Sequence, residues 1–392
     1  MVLALPRLRL EGPPMRRLLP LLLLLPLVPD AAPIERIWLT HQSGSPTHLV
    51  VNWETAQTAP SVVEYGATPA LGSVASAPAE KIHHVEIPLR PGDLQVHYRV
   101  RSGDEISAIH AFKGYPSDEL RIAVIADTGY AKTSWGEAIL RTNPHLLISA
   151  GDHVAALHRG QPVDPLDTSA FSALVDGHPE LFRRTPWLPL LGNHDREIRP
   201  RGPRPPAEAV YDVEAKAFRR FFALPDEGWK WRFDLPAFGL RLLALDLSHT
   251  SDHGTTWQSN HDFLPGSPQF AWFREQMENS DQPFLIPLYN EKHSTVRGLG
   301  GGAYARLLAR SNLVITGYGY FAERAEVGDT AFYNTSVSGT GTPYKDPRSV
   351  FLRSEDNFML ITVKPGRLTA QLRRIPDGSV LDEKSFAPRT GR

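Results

Sequence analysis

The stretch RIAVIADTGY, Arg121 to Tyr130, decides how the chain folds. Ile122 to Ala126 is too short and too uniformly apolar for a surface helix, so it predicts a strand buried on both faces with Asp127 at its C-terminal end. Ligands of open α/β sheets gather at such ends. The pattern returns twice: His145 to Ala150 (HLLISA) runs into Gly151-Asp152-His153, and Pro186 to Leu191 (PWLPLL) runs into Gly192-Asn193-His194-Asp195. Three strands are therefore expected to bring oxygen ligands and an imidazole to one rim.

Upstream of this stretch, from Ile34 to about Lys113, short alternating runs are separated by Gly, Pro and Ser. Ile37 to Leu39, Leu49 to Trp53, Ser61 to Tyr65, Val85 to Ile87 and Val96 to Arg101 predict a β-sandwich over residues 34–113, with Trp53 and Tyr98 as core aromatics. Gly114 to Asp118 reads as a linker. Downstream, residues 119–375 alternate strand and helix signals. Helices are expected at Thr133 to Leu140, Ser169 to Phe182, Val213 to Phe222, Gln269 to Met277 and Ala303 to Leu308. Further strands are expected at Leu240 to Leu247, Phe284 to Tyr289, Leu313 to Thr316, Thr330 to Asn334 and Phe358 to Val363. The interleaving predicts a layered α/β domain, and the closely spaced late strands a second sheet packed on the first. Residues 376–392 read as a C-terminal tail. The Pro-rich loop Arg199 to Pro206 is expected at the surface or the rim.

Arg16-Arg17 followed by the Leu-rich run Leu18 to Val28 has the charged and apolar parts of a secretory signal. Residues 1–33 are assigned to it, and the mature chain is expected to be secreted or periplasmic. Pro20, Pro26 and Pro29 disfavour a buried helix there. No later stretch is long and apolar enough for a membrane helix. Lys+Arg 42 against Asp+Glu 43 leaves a net charge of -1, so no global field attracts nucleic acid or an anionic membrane. The chain has no cysteine, which excludes disulfides, thiolate metal sites and a cysteine nucleophile. The sequence carries no sign of oligomeric state.

Ions that activate water prefer carboxylate, amide oxygen and imidazole donors, and one carboxylate can bridge two ions. Asp127, Asp152 and Asn193 are the candidate metal ligands, and His194 is the candidate catalytic acid.

Asp127-Thr128-Gly129, Gly151-Asp152 and Gly192-Asn193-His194-Asp195 resemble the first three motifs of the calcineurin-like metallophosphoesterases, specifically the purple acid phosphatase branch. That branch carries a fibronectin III-like β-sandwich in front, and Thr40-His41-Gln42 and Val51-Asn52-Trp53-Glu54-Thr55 stand in the matching places. The resemblance implies a β-sandwich followed by an αββα-layered phosphoesterase domain. It also implies a dinuclear site bridged by Asp152, holding Fe, Mn or Zn, that hydrolyses a small or macromolecular phosphoester. The later motifs depart from the pattern. Asn290 stands where the family's fourth motif ends in histidine, Tyr318 and Tyr320 replace both histidines of its Gly-His-x-His, and Ala155 replaces its tyrosine three residues after the bridging aspartate.

Three expectations follow. One is a hydrolase with an altered ligand set, in which Tyr318 or Tyr320 as phenolate, Asn290 or His293 joins the three surviving ligands. Another is a non-catalytic binding protein that has lost its metal. The third is an extracytoplasmic scaffold or adhesion-type module in which the β-sandwich matters most, which an exposed aromatic patch on that domain would favour. His153, His249 and His253 are further candidates for the missing imidazoles, and Glu323-Arg324 is expected to form a structural ion pair or a turn-stabilising pair. Gly339-Thr340-Gly341 is expected to be a flexible rim loop.

Overall fold

Alternating buried and exposed side chains build the N-terminal region as antiparallel sheet: β1 (Ile34–Thr40), β2 (His48–Gly66), β3 (Ser73–Pro88), β4 (Val96–Ser102), β5 (Glu105–Ile106) and β6 (His110–Phe112). The computed structural model describes residues 33–389 apart from 91, 93–94 and 342–343; the expected signal segment lies outside the described residues except for its last position. Strand β2 pairs with β1 and β3 through its first half, shifts register between Glu54 and Ser61, and then pairs with β4. That shift lets the sheet turn over one core, in which Trp53 and Tyr98 are fully buried beside Leu49, Val63, Val85 and Phe112.

The rest of the chain forms two sheets from β7 (Leu120–Ile125), β8 (Leu146–Ala150), β9 (Trp187–Leu190), β10 (Trp231–Leu235), β11 (Leu240–Ala244), β12 (Phe284–Tyr289), β13 (Leu313–Thr316), β14 (Ala322–Val327), β15 (Thr330–Asn334), β16 (Ser349–Arg353), β17 (Asn357–Lys364), β18 (Arg367–Arg374) and β19 (Val380–Phe386). The first sheet runs β19-β18-β17-β7-β8-β9 and the second β10-β11-β12-β13-β15-β14-β16. The late strands thus divide between the sheets, because β17 pairs antiparallel with β7 and brings β18 and β19 with it. Residues 380–386, expected within a tail, are the edge strand β19.

Period-two alternation sets the layers. Leu242, Ile286 and Ile315 face the core shared with Ile122, Val124 and Ile148, while Leu243, Leu285 and Val314 face Phe273 of α5 (Pro268–Glu278) and Tyr304 of α6 (His293–Leu308). Residues of α1 (Gly136–Arg141), α2 (Ser169–Gly177), α3 (Pro179–Phe182) and α4 (Lys216–Phe221) join the core through Ile139, Phe171, Phe182 and Phe218. The N-terminal sheet docks on this side: Trp38 stacks on Phe221 with ring centroids 4.1 Å apart, Ser172 donates to Glu54 at 2.8 Å, and Arg36 bonds both Glu54 and Asp176.

Three strands of the first sheet, β7 to β9, and four of the second, β11, β12, β13 and β15, are mutually parallel within their sheets. The rim at their C-terminal ends is where the sheets are stitched together: Val337 donates to the Ala126 carbonyl at 3.0 Å and the Asn290 amide to the Ala150 carbonyl at 2.9 Å.

Candidate active site

Asp127, Asp152, Asn193 and His194 meet at that rim. Asp127 and Asp152 each take a left-handed backbone, with φ of 58° and 56°, a conformation aspartate tolerates better than most residues and one concentrated at functional sites. The Asp127 amide donates to the Gly151 carbonyl at 3.1 Å and the His194 amide to Asp152 Oδ1 at 3.2 Å. Two glycines permit the close approach. A Cβ on Gly192 would stand 2.1 Å from Asp152 Oδ1, and one on Gly129 would stand 2.1 Å from the Val154 carbonyl carbon.

Asp195 holds the rim in register without facing it. Its fully buried carboxylate accepts from the amides of Gly192 (2.8 Å), Asp152 (3.0 Å) and His153 (2.8 Å), tying the end of β8 to the end of β9. His153 belongs to the same clamp. Its Nδ1 lies 2.8 Å from Asp195, and its Nε2 meets a Ser149 hydroxyl that accepts from Trp187, so this ring is engaged on both sides inside the core.

The two site carboxylates differ in satisfaction. Both oxygens of Asp127 are buried without a hydrogen-bond partner; the Ser336 hydroxyl is near, but its proton goes to the Ser338 carbonyl at 3.0 Å. Burial, then the charge of Asp152, pushes the Asp127 carboxyl well above the usual range. Burial likewise lifts Asp152, to about 6, against the opposing pull of His194. For His194, burial favours the neutral ring, but Asp152 and Glu197 outweigh it and raise the imidazole to about 9.

His194 is gripped at both nitrogens. Nδ1 lies 2.7 Å from Glu197 Oε2 and Nε2 is 2.8 Å from the Tyr130 hydroxyl, while the other Glu197 oxygen is 3.0 Å from His158. Sequence reasoning missed Tyr130, Glu197 and His158 as members of the site. A tyrosine three residues after Asp127 and an acid three residues after His194 were the available signals. Arg201 was missed as well: it reaches back from the Pro-rich loop to the Tyr211 hydroxyl (3.2 Å), His249 (3.4 Å) and Asp252 (2.7 Å), making that loop a rim insertion.

The substituted positions are placed as follows. Ala155 is exposed, and its carbonyl lies 3.4 Å from the Tyr130 hydroxyl. Asn290 is fully buried, donating to the carbonyls of Ala150 and Gly317 (2.9 and 2.5 Å), which leaves Oδ1 unpartnered. Tyr320 packs on Tyr130 with ring centroids 5.2 Å apart, and Tyr318 packs on Tyr344 at 5.4 Å. Burial raises both phenols further above their ordinary value, so they stay neutral. His293 is occupied by the Tyr289 hydroxyl (2.8 Å) and the Tyr333 carbonyl (3.0 Å), and His253 packs against Phe263 away from the carboxylates. His249 stands near the rim, 6.1 Å from the Tyr318 ring. Glu323 and Arg324 do not pair with each other. As neighbours in β14 they point to opposite faces: Glu323 accepts from the Asp346 amide, while Arg324 bridges to Asp382 of β19 at 2.8 Å. Gly339 and Gly341 are held, donating to Asp356 and to the Tyr320 carbonyl, each at 2.7 Å.

Among the described residues no three His, Cys, Asp or Glu side chains converge as a metal-binding group. The donors present do not fit a dinuclear centre with nitrogen ligands, since Asn290, Tyr318 and Tyr320 supply none. They do fit a single cation: Asp127 is an unpartnered buried carboxylate beside a second buried carboxylate, with the Asn193 amide at the next strand end.

The sequence profile of calcineurin-like phosphoesterases matches residues 120–317. No curated protein matches the chain by sequence. Among solved structures, the purple acid phosphatase PPD1 from yellow lupin (Lupinus luteus) seeds superposes with a TM-score of 0.68 at 16% identity, covering 91% of this chain and 74% of that one. PhoD superposes with a TM-score of 0.65 at 11% identity, covering 90% of each chain. At such identities the likeness is one of fold, and it extends over the N-terminal sheet as well as the two-sheet domain. With half its length matched by the profile and the first three motifs at the strand ends, the chain belongs to the calcineurin-like phosphoesterase family.

Proposed function

We propose that this chain is an exported phosphoester hydrolase that works with one cation instead of two. The observation that supports it most is the unpartnered Asp127 carboxylate beside Asp152, facing a His194 raised to about 9. Asp127, Asp152 and Asn193 would hold the cation, which when bound supplies charge for the phosphoryl oxygens and acidifies water. Without it Asp127 is held above the usual carboxylate range by burial and by Asp152, so the site lacks a charge that could meet a phosphoryl oxygen.

The chain's own residues supply the rest. His194 is protonated at neutral pH, and its Nε2 proton points at the Tyr130 hydroxyl 2.8 Å away. Tyr130 can therefore pass a proton to a leaving oxygen and be resupplied by His194, while Glu197 fixes the ring from behind. Arg201, 4.3 Å over the Trp257 ring, and Lys292, 4.1 Å over the Tyr344 ring, place positive charge on the rim where an anionic substrate would enter. The Leu-rich segment after Arg16-Arg17 supports export, and no helix among the described residues is long and apolar enough to cross a membrane.

A second reading, a non-catalytic binding protein on the same fold, is favoured by the joint replacement at Ala155, Asn290, Tyr318 and Tyr320. Release of the alcohol or phenol leaving group from a phosphomonoester and from a phosphodiester, measured for the wild type and Asp152→Asn with divalent cations supplied, separates the two. Hydrolysis lost in Asp152→Asn supports the hydrolase. Hydrolysis unchanged in Asp152→Asn sinks it, and no hydrolysis by the wild type with any of the cations supplied selects the binding protein.

A further inference from the structure

Three buried oxygens at this rim have no hydrogen-bond partner. Asp127 is 1% exposed and neither carboxylate oxygen has a partner. Asn290 is 0% exposed, and its two carbonyl acceptors identify which end of the amide is nitrogen, so the unpartnered atom is Oδ1. Both residues are anchored on the turn after β8. The Asp127 amide bonds the Gly151 carbonyl, and Asn290 bonds the Ala150 carbonyl while lying so close to Gly151 that a Cβ there would meet Asn290 Nδ2 at 2.6 Å. Asp152 follows in the same turn. A buried polar atom left without a partner is costly, and a charged one more so, so three such oxygens around one turn call for a positive partner. The ring nitrogens of His194, His153 and His293 already lie between 2.5 and 3.0 Å from protein oxygens.

We propose that Asp127, Asp152, Asn193 and Asn290 form an all-oxygen site that selects a hard divalent cation, Mg²⁺ or Ca²⁺, over Zn²⁺. Carboxylate and amide oxygens suit hard ions, while zinc gains most from the imidazole nitrogens these positions lack. The inference deepens the one-cation reading above and rests on it.

The test is isothermal titration calorimetry, with thermal unfolding in parallel, on chelator-treated chain offered Mg²⁺, Ca²⁺ or Zn²⁺ singly. Wild type, Asp127→Asn and Asn290→His are compared. The expected result is one hard ion per chain, bound at least about tenfold tighter than Zn²⁺, with a raised Tm; Asp127→Asn loses about tenfold or more. Asn290→His shifts the preference about tenfold toward Zn²⁺, and Tyr320→His serves the same comparison if the first variant fails to fold. Zinc bound tighter than both hard ions by the wild type overturns the selectivity while leaving the one-cation reading intact. No cation bound by the wild type overturns both, and unchanged affinity in a folded Asp127→Asn overturns the assignment of the site.

Discussion

At the scale of single residues, Asp127 stores an electrostatic penalty that a ligand can release. In chelator-treated protein, Asp127→Asn should raise stability by about 1–3 kcal/mol, because a buried carboxylate without a partner is replaced by a neutral amide. Urea unfolding measures this, and a loss of stability would contradict it. His194 carries the complementary prediction. Its folded pKa of about 9 exceeds the reference value of about 6.5, so between these pH values the native state holds a proton the unfolded chain has released. The stabilisation is fully present below pH 6.5 and lost as pH rises through 9. At about 1.4 kcal/mol per pKa unit it amounts to about 3 kcal/mol. Unfolding free energies of the metal-free wild type should fall by that order from pH 6.5 to 9, and His194→Gln should flatten the fall.

At the scale of elements, the rim depends on clamps buried behind it. Asp195→Ala should cost about 3 kcal/mol or more, since three backbone amides at the ends of β8 and β9 lose their acceptor. Chemical denaturation reads the loss, and a change under about 0.5 kcal/mol would contradict the clamp. The strands that carry site residues were the ones most legible in the sequence. β12, β13 and β15 fall at the expected residues because buried parallel strands are written as plain apolar runs. By contrast β14, β16, β18 and β19 carry Arg, Glu, Asp and Lys, and part of that charge is answered by a strand of the other sheet, as Arg324 is by Asp382. The same limit hid part of the site. Asp127, Asp152, Asn193 and His194 each follow a buried strand and a turn, whereas Arg201 sits in a Pro-rich loop and Glu197 looks like any surface acid until His158 and His194 close on it.

At the scale of the whole molecule, the N-terminal sheet is built into the phosphoesterase domain: the described residues from 33 to 389 belong to one compact unit. Trp38 and Ile82 of that sheet lie in the same hydrophobic core as Ile122 and Phe221. Calorimetry should therefore show one cooperative unfolding transition for the described chain. Trp38→Ala, which removes the ring stacked 4.1 Å from Phe221, should lower its Tm at a cost of about 3–5 kcal/mol while keeping it single. Two resolved transitions in the wild type would contradict an integrated interface. β7, which runs into Asp127, sits inside the first sheet between β17 and β8, and every role proposed above depends on that placement.

The most direct test of the account is the metal content of protein purified without chelator, measured by elemental mass spectrometry on wild type and Asp152→Ala side by side. The account predicts one divalent ion per chain in the wild type and none in the variant. Two ions per chain, or an ion retained without Asp152, would contradict it.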